Sequence, residues 1–135
     1  MDLFEVTPWW VRTLGADGPR RVACNFQHPV LVYTDACGDG HISAVLFFGG
    51  RAIISHCHVP QWMRTFWIAE LELVATILGL AFCAEYAPGR NVLLCCDNLG
   101  ARGVLVRGHS RANYGREISS VFWPIAECAK IHVWI

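Results

Sequence analysis

The sequence predicts an α/β domain with a five-stranded mixed sheet flanked by helices, and three observations predict this class. Short β-rich apolar runs alternate with apolar segments of helical length, in the order βββαβααβ. Of the 135 residues, 54% are hydrophobic, which is enough for a sizeable core. The 11 basic and 11 acidic side chains give no formal net charge. Disorder requires low hydrophobicity together with high net charge, so this composition excludes it for most of the chain.

Residues 1–29 show no regular apolar period, because prolines and glycines interrupt them. We interpret this segment as an N-terminal extension or the end of a preceding domain. Residues 30–135 are interpreted as the folded domain. Its first strand is predicted over Val30–Thr34, an apolar run typical of a strand buried on both faces, and Asp35 follows directly.

Two further strands are predicted over Ile42–Phe48 and Arg51–Val59. Gly49-Gly50 separates them and is typical of a two-residue hairpin turn that needs positive φ. The first three strands are therefore expected to form an antiparallel meander.

A long helix is predicted from about Phe66 to Tyr86, with Thr65 as its N-cap and Pro88-Gly89 at its end. The helix is apolar on nearly every side, which is typical of a helix between two layers. Small residues such as Gly79 would let it pack closely against the sheet.

The second half of the chain continues with a strand that ends at Asp97, two helices and a last strand. Pro124 is expected to kink or break the second of these helices. The predicted ranges are Asn91–Cys96 for the strand, Leu99–Val106 and Asn113–Ala129 for the helices, and Ile131–Ile135 for the last strand.

Three acidic residues form the candidate site. Asp35 and Asp97 each end a buried strand, and the carboxyl ends of strands are where α/β sheets bind ligands. Glu72 lies one turn into the apolar helix, where none of its helical neighbours can neutralise it. A buried carboxylate must raise its pKa, find a cation or bind a metal. Together the three predict an oxygen-ligand site of the kind that holds magnesium.

Each acid also has a purely structural interpretation. Asp35 or Asp97 taken singly is typical of a turn residue after a strand. Glu70 is interpreted as a first-turn acid that favours the helix dipole and points away from Glu72, since about 200° of helix rotation separates the two. Asp39, in the Cys37-Gly38-Asp39-Gly40 stretch, is interpreted as a turn residue.

Cysteine and histidine do not predict a structural metal site. The seven cysteines are odd in number and include no CxxC pair, which favours a reducing compartment over a disulfide framework. In His56-Cys57-His58, strand alternation puts the two histidines on one face and directs Cys57 into the core. Two surface histidines are therefore favoured over a zinc site.

The charge distribution predicts a polyanionic partner, and the length of the apolar stretches predicts no membrane span. No acidic residue lies between Asp97 and Glu117, a segment that carries four arginines, although a solvated helix face would have the same composition. The longest apolar stretch of the helix is too short to span a bilayer, and the first ten residues do not have the pattern of a secretory signal, so we expect neither a membrane span nor a signal peptide.

Three short motifs follow one another on the expected elements: Tyr33-Thr34-Asp35-Ala36, Glu72-Leu73-Val74-Ala75 and Cys96-Asp97-Asn98. In this order they resemble the ribonuclease H fold. More narrowly, residues 68–75, 97–101 and 106–110 are similar to the ribonuclease H domains of retroelement reverse transcriptases, DIRS-like elements among them. The resemblance covers about Val30 to Ile135.

This resemblance implies an endonuclease that hydrolyses the RNA strand of RNA/DNA hybrids with two Mg²⁺ ions, for which Mn²⁺ is expected to substitute. It implies that Asp35 bridges both metals, that Glu72 ligates one and orients the scissile phosphate, and that Asp97 holds the metal on the nucleophile side. It also implies a reverse transcriptase domain in the same parent polyprotein and an intracellular location, cytoplasmic or nuclear.

Five residues are candidates for contacts to the hybrid backbone. Base sequence should matter little, because such a domain reads the shallow minor groove and its 2′-hydroxyls. The candidates are Asn98, Arg102, Arg107, Ser110 and Arg111.

One departure from the family concerns its fourth acidic ligand, which lies on a helix after the last strand. This sequence stops at Ile135, before such a helix, and His132 is a poor substitute. We therefore expect a domain truncated before its last helix, with weak or no cleavage in this form. The alternative is a catalytically silent ribonuclease H-like module that supports a polymerase or grips nucleic acid.

Overall fold

Five strands form one mixed sheet in the computed structural model, which describes residues 28–108, 110 and 114–135. The order across the sheet is third, second, first, fourth and fifth strand. The strands are β1 (Val30–Ala36), β2 (His41–Phe48), β3 (Arg51–His58), β4 (Asn91–Cys96) and β5 (His132–Trp134).

The predicted meander is confirmed. β2 pairs antiparallel with both β1 and β3, whereas β4 pairs parallel with β1 and β5. Gly49 and Gly50 form the turn between β2 and β3 with φ of 58° and 75°. Positive φ at both central residues is the type I′ geometry that matches strand twist, and it fixes the register of the hairpin.

Three α-helices lie in the described part of the chain, and their bounds differ slightly from the predicted ones. Thr65 was expected to cap the long helix, but the chain from Gln61 to Thr65 forms a separate 3₁₀ helix and Trp67 is the N-cap. The last helix continues through Pro124 without ending there. The helices are α1 (Ile68–Tyr86), α2 (Leu99–Arg107) and α3 (Gly115–Cys128).

The core lies between α1 and one face of the sheet. Val30, Val32 and Leu46 on the strands are at most 1% exposed and meet the buried side of α1. Gly79 sets how closely the two layers approach, because a Cβ there would lie 2.8 Å from side-chain carbons of Val32 and Thr34. The predicted close packing of the helix is confirmed.

The opposite side of the sheet, here called the open face, carries no helix of the described residues. Tyr33 and Phe47 contact each other edge to face there, with ring centroids 5.9 Å apart, and both remain more than 40% exposed. Trp134 of β5 is 39% exposed. The sheet is therefore buried on one side and accessible on the other.

The prediction that Cys57 points into the core is wrong. Strand alternation does place it on the α1 side, opposite Ile42, but β3 is the edge strand and Cys57 is exposed. The six cysteines in the described part of the chain are all free. None of the described helices is long and apolar enough to cross a membrane.

Candidate active site

Asp35 and Asp97 meet at one edge of the sheet. β1 and β4 are parallel neighbours in which Thr34 lies opposite Cys96, and each acid is the next residue along its strand. Since parallel strands end at the same edge, their terminal side chains converge. The prediction from the strand ends is confirmed.

Glu72 joins the two aspartates from the helix layer. One ligand atom from each of the three carboxylates lies within 4.8 Å of the others, and no other set of three acids, histidines or cysteines among the described residues does this. Glu72 is only 3% exposed, whereas Asp35 and Asp97 are exposed. We call Asp35, Glu72 and Asp97 the acidic triad.

The environment of Glu72 disfavours its charge. Burial raises its pKa most, and the negative charges of Asp97 and Asp35 raise it further. Two hydrogen bonds oppose this shift: the backbone N–H of Ala36 donates to Oε1 at 3.3 Å, and the Cys96 thiol donates to Oε2 at 3.9 Å. The net result is a raised pKa, with burial as its main cause.

The acidic triad fits a hard divalent cation. Its donors are carboxylate oxygens, which Mg²⁺ prefers, and their separation allows them to share an ion. A cation would also remove the repulsion that raises the pKa of Glu72. Two ions about 3.5–4 Å apart are the usual arrangement in phosphodiester hydrolysis by metals.

Glu70 points away from the triad, as predicted, but it is more than a first-turn acid. It is 3% exposed, and its carboxylate accepts hydrogen bonds from the backbone N–H of Trp67 at 3.0 Å and of Tyr114 at 3.3 Å. The first bond caps α1, and the second ties α1 to the residue before α3. No pattern in the sequence predicts this second contact.

A groove of about 530 Å³ runs from the acidic triad across the open face. Its lining includes the two aspartates Asp35 and Asp97, the apolar side chains of Tyr33 and Val45, and Arg102. The groove therefore contains both acids and a positively charged side chain. This arrangement suits a chain that carries phosphates, because the arginine can contact one phosphate and a cation held by the acids can contact another.

The five residues predicted to contact nucleic acid occupy different positions. Arg102 lines the groove. Asn98 caps α2, because its Oδ1 accepts from the Ala101 N–H at 3.0 Å. Arg107 ends α2, where its Nε donates to the Gly103 carbonyl at 2.9 Å. Ser110 follows α2 as a half-buried residue, and Arg111 lies outside the described residues.

Two groups at the site were not predicted. The Ala36 N–H and the Cys96 thiol both hold the Glu72 carboxylate. Their signal in the sequence is position alone, because each residue is adjacent to an aspartate of the triad. His132, rejected above as a ligand, lies opposite Asn91 at the other end of the sheet.

The fold is that of ribonuclease H. The chain is similar to the RNase H1 of the halophilic archaeon Halobacterium salinarum NRC-1, with a TM-score of 0.57 and 15% identity over 79% of this chain and 84% of that one. It also matches YeaZ from Pseudomonas aeruginosa at 16% identity over 79% of this chain and 44% of that one, but the TM-score of 0.35 is too low to argue from. Neither a protein-family model nor a curated protein matches the sequence.

Proposed function

We propose that this chain is a metal-dependent endonuclease that hydrolyses the RNA strand of RNA/DNA hybrids. The observation that carries the proposal is the convergence of Asp35, Glu72 and Asp97 within 4.8 Å on a ribonuclease H fold. Mg²⁺ is the proposed cofactor, two ions per site, with Mn²⁺ as a substitute. Bound between the carboxylates, such ions supply the charge that activates water and stabilises the leaving 3′ oxygen.

The residues of the triad have distinct proposed roles. Asp35 is proposed to bridge the two ions and Asp97 to hold the one on the nucleophile side. Glu72 is proposed to ligate one ion and to orient the scissile phosphate. The Ala36 N–H supports this role, because it fixes the Glu72 carboxylate in one orientation before any ligand binds.

The proposed substrate interface follows the groove beside α2. Arg102 borders it and is proposed to contact a backbone phosphate, with Asn98, Arg107, Ser110 and Arg111 as further contacts along the same segment. Such contacts read the backbone and the 2′-hydroxyls, so we expect little dependence on base sequence.

The biological context is proposed from the sequence motifs alone. Their similarity to reverse-transcriptase-linked domains supports a retroelement polyprotein that contains a reverse transcriptase domain. An intracellular location belongs to the same proposal.

The test is hydrolysis of an RNA/DNA hybrid labelled on its RNA strand, with DNA duplex and RNA duplex as comparison substrates. We expect slow cleavage of the hybrid alone, complete dependence on a divalent metal, and loss of cleavage in Asp35→Asn. Glu127→Gln on the exposed surface of α3 is the matched control and should retain activity. Cleavage that survives Asp35→Asn would refute the proposal, and tight hybrid binding without cleavage would favour the silent module instead.

A further inference from the structure

Three histidines lie together on the open face, at the end of the β2–β3 hairpin that is farthest from its turn. His41 is directly opposite His58, and His56 is two residues before His58 on the same strand. Strand alternation therefore directs all three side chains to the same side of the sheet. The sequence suggested two surface histidines, and the hairpin register adds the third.

The imidazole rings are in contact. Nε2 of His41 lies 3.3 Å from Nδ1 of His56, with ring centroids 5.3 Å apart, and the ring of His41 stacks on that of His58 at 4.7 Å. A shared tetrahedral zinc ion with Zn–N bonds near 2.0–2.1 Å would place two ligating nitrogens about 3.3–3.4 Å apart. The His41 and His56 nitrogens, which share a hydrogen bond as the rings stand, already have that separation.

We propose that His41, His56 and His58 form a binding site for a zinc-like transition metal ion, separate from the acidic triad. Two histidines at i and i+2 on one strand and a third on the adjacent strand place three imidazole rings on one side of the sheet. As the rings stand, their nitrogens are not all within 4.8 Å of one another, so the third ligand has to turn toward the other two. Zinc accepts three histidines and leaves its fourth position to water. His58 completes the site by rotating its exposed ring out of the stack on His41.

Asp39 places a negative charge close to the three histidines. Its Oδ1 accepts hydrogen bonds from the His41 backbone N–H at 3.0 Å and from the Cys37 thiol at 2.7 Å. Carboxylates close to ligating histidines favour a bound cation and are frequent around zinc. The sequence interpretation of Asp39 as a turn residue is confirmed, and the site adds an electrostatic role.

The histidine site and the acidic triad share no residue. His56 pairs with Ser43, and Ser43 pairs with Asp35, so two strand spacings, or about 10 Å, separate His56 from Asp35. Their ligands also differ, because imidazole nitrogen suits zinc whereas carboxylate oxygen suits magnesium. The two sites can therefore be tested independently.

The experiment is a titration of the full 135-residue chain with Zn²⁺ in competition with a chromophoric chelator, with its thiols kept reduced. We expect one equivalent to bind, and we expect His41→Gln, His56→Gln and His58→Gln each to weaken binding by at least about tenfold. His132→Gln is the matched control, because His132 is an exposed strand histidine at the other end of the sheet. It should bind as the wild type does.

Two further variants test whether zinc binds at the acidic triad or at the Cys37 thiol instead. Asp35→Asn and Cys37→Ser should both leave zinc affinity unchanged, and Co²⁺ bound in place of zinc should show a tetrahedral spectrum without thiolate charge-transfer bands. Equal affinity in all three histidine variants would refute the proposal. So would a loss of binding in Asp35→Asn or Cys37→Ser. Circular dichroism of each variant establishes that it is folded before it is titrated.

Discussion

The Glu72 carboxylate accepts a 3.3 Å hydrogen bond from the Ala36 N–H, and this bond joins α1 to the end of β1 beside Asp35. Glu70, two residues earlier and equally buried, accepts instead from the N–H groups of Trp67 and Tyr114. Two glutamates of one helix thus have different functions. One holds a place in the acidic triad, and the other satisfies backbone donors at the start of α1.

Glu72→Gln is expected to abolish hydrolysis and to raise the melting temperature of the metal-free protein by a few degrees near neutral pH. Burial and the charges of Asp97 and Asp35 raise the pKa of Glu72 in the folded state. Stability is therefore lost as pH rises from the unfolded pKa through the raised folded pKa, because the folded state binds the extra proton. The side-chain amide in Glu72→Gln carries no charge at any pH in this range, so the variant does not lose this folding stability. Thermal unfolding across that pH range, without metal, checks the prediction.

Glu70→Gln is the matched control for this experiment. Glutamine has one acceptor oxygen for two backbone donors, so we expect a loss of about 1 kcal/mol in unfolding free energy. Metal-dependent cleavage should be retained. Similar melting temperatures for the two variants would contradict the distinction between these glutamates.

The sequence predicted the order of strands and helices along the chain and the members of the acidic triad, because both depend on local signals. Apolar runs that end in aspartate located β1 and β4, and a glutamate without a partner marked α1. The start of α1 was misplaced because Gln61–Thr65 forms a 3₁₀ helix of its own. Propensity alone does not distinguish such a turn from the first turn of the helix.

Contacts between distant segments could not be predicted in the same way. The bond from Tyr114 to Glu70 joins residues 44 positions apart, and no sequence pattern encodes it. The group of three histidines lies between these cases, because its residues are distant in sequence but a local turn signal sets their pairing. Once Gly49-Gly50 is taken as the turn, counting back along both strands places His41 opposite His58. The exposure of Cys57 required knowledge that β3 lies at the edge of the sheet.

Gly79→Ala is expected to destabilise the fold by about 1–2 kcal/mol. Its new Cβ would lie 2.8 Å from carbons of both Val32 and Thr34, so α1 would have to move away from β1. Overpacking of this kind costs about 1–3 kcal/mol and outweighs the gain of up to about 1 kcal/mol in helix propensity. Urea unfolding measures the difference. Gly38→Ala, where no atom lies within 4 Å of the new Cβ, should be nearly neutral, and an equal effect of both variants would show that packing against β1 is not the cause.

Arg102→Ala is expected to weaken hybrid binding and to lower its salt dependence. Arg102 borders the groove that leads to the triad, and each phosphate contact contributes about one unit to the slope of log affinity against log salt. Binding titrations at several salt concentrations measure that slope. Arg51→Ala is the control, because Arg51 is exposed and begins β3 at the end of the sheet away from the triad. An unchanged slope in Arg102→Ala would remove this residue from the interface.

Hydrolysis by this chain is expected to be faster with Mn²⁺ than with Mg²⁺, by up to about a hundredfold. The described residues bring three carboxylates within 4.8 Å of one another and add no fourth acid, histidine or cysteine to that cluster, so water would complete the coordination of the proposed ions. Mg²⁺ demands a near-ideal octahedron and is the ion more sensitive to incomplete coordination. A displacement of about 1 Å at a reacting group costs on the order of a hundredfold in rate.

The measurement is the initial rate of cleavage across a concentration series of each metal, with Asp35→Asn measured in parallel. Equal maximal rates in the two metals would show that three carboxylates position Mg²⁺ adequately. A Mn²⁺ advantage that persists in Asp35→Asn would locate the ion outside the triad, because that variant removes a carboxylate charge that both proposed ions share. Loss of activity with both metals in Asp35→Asn, together with faster cleavage by the unaltered chain in Mn²⁺, is the result that the geometry predicts.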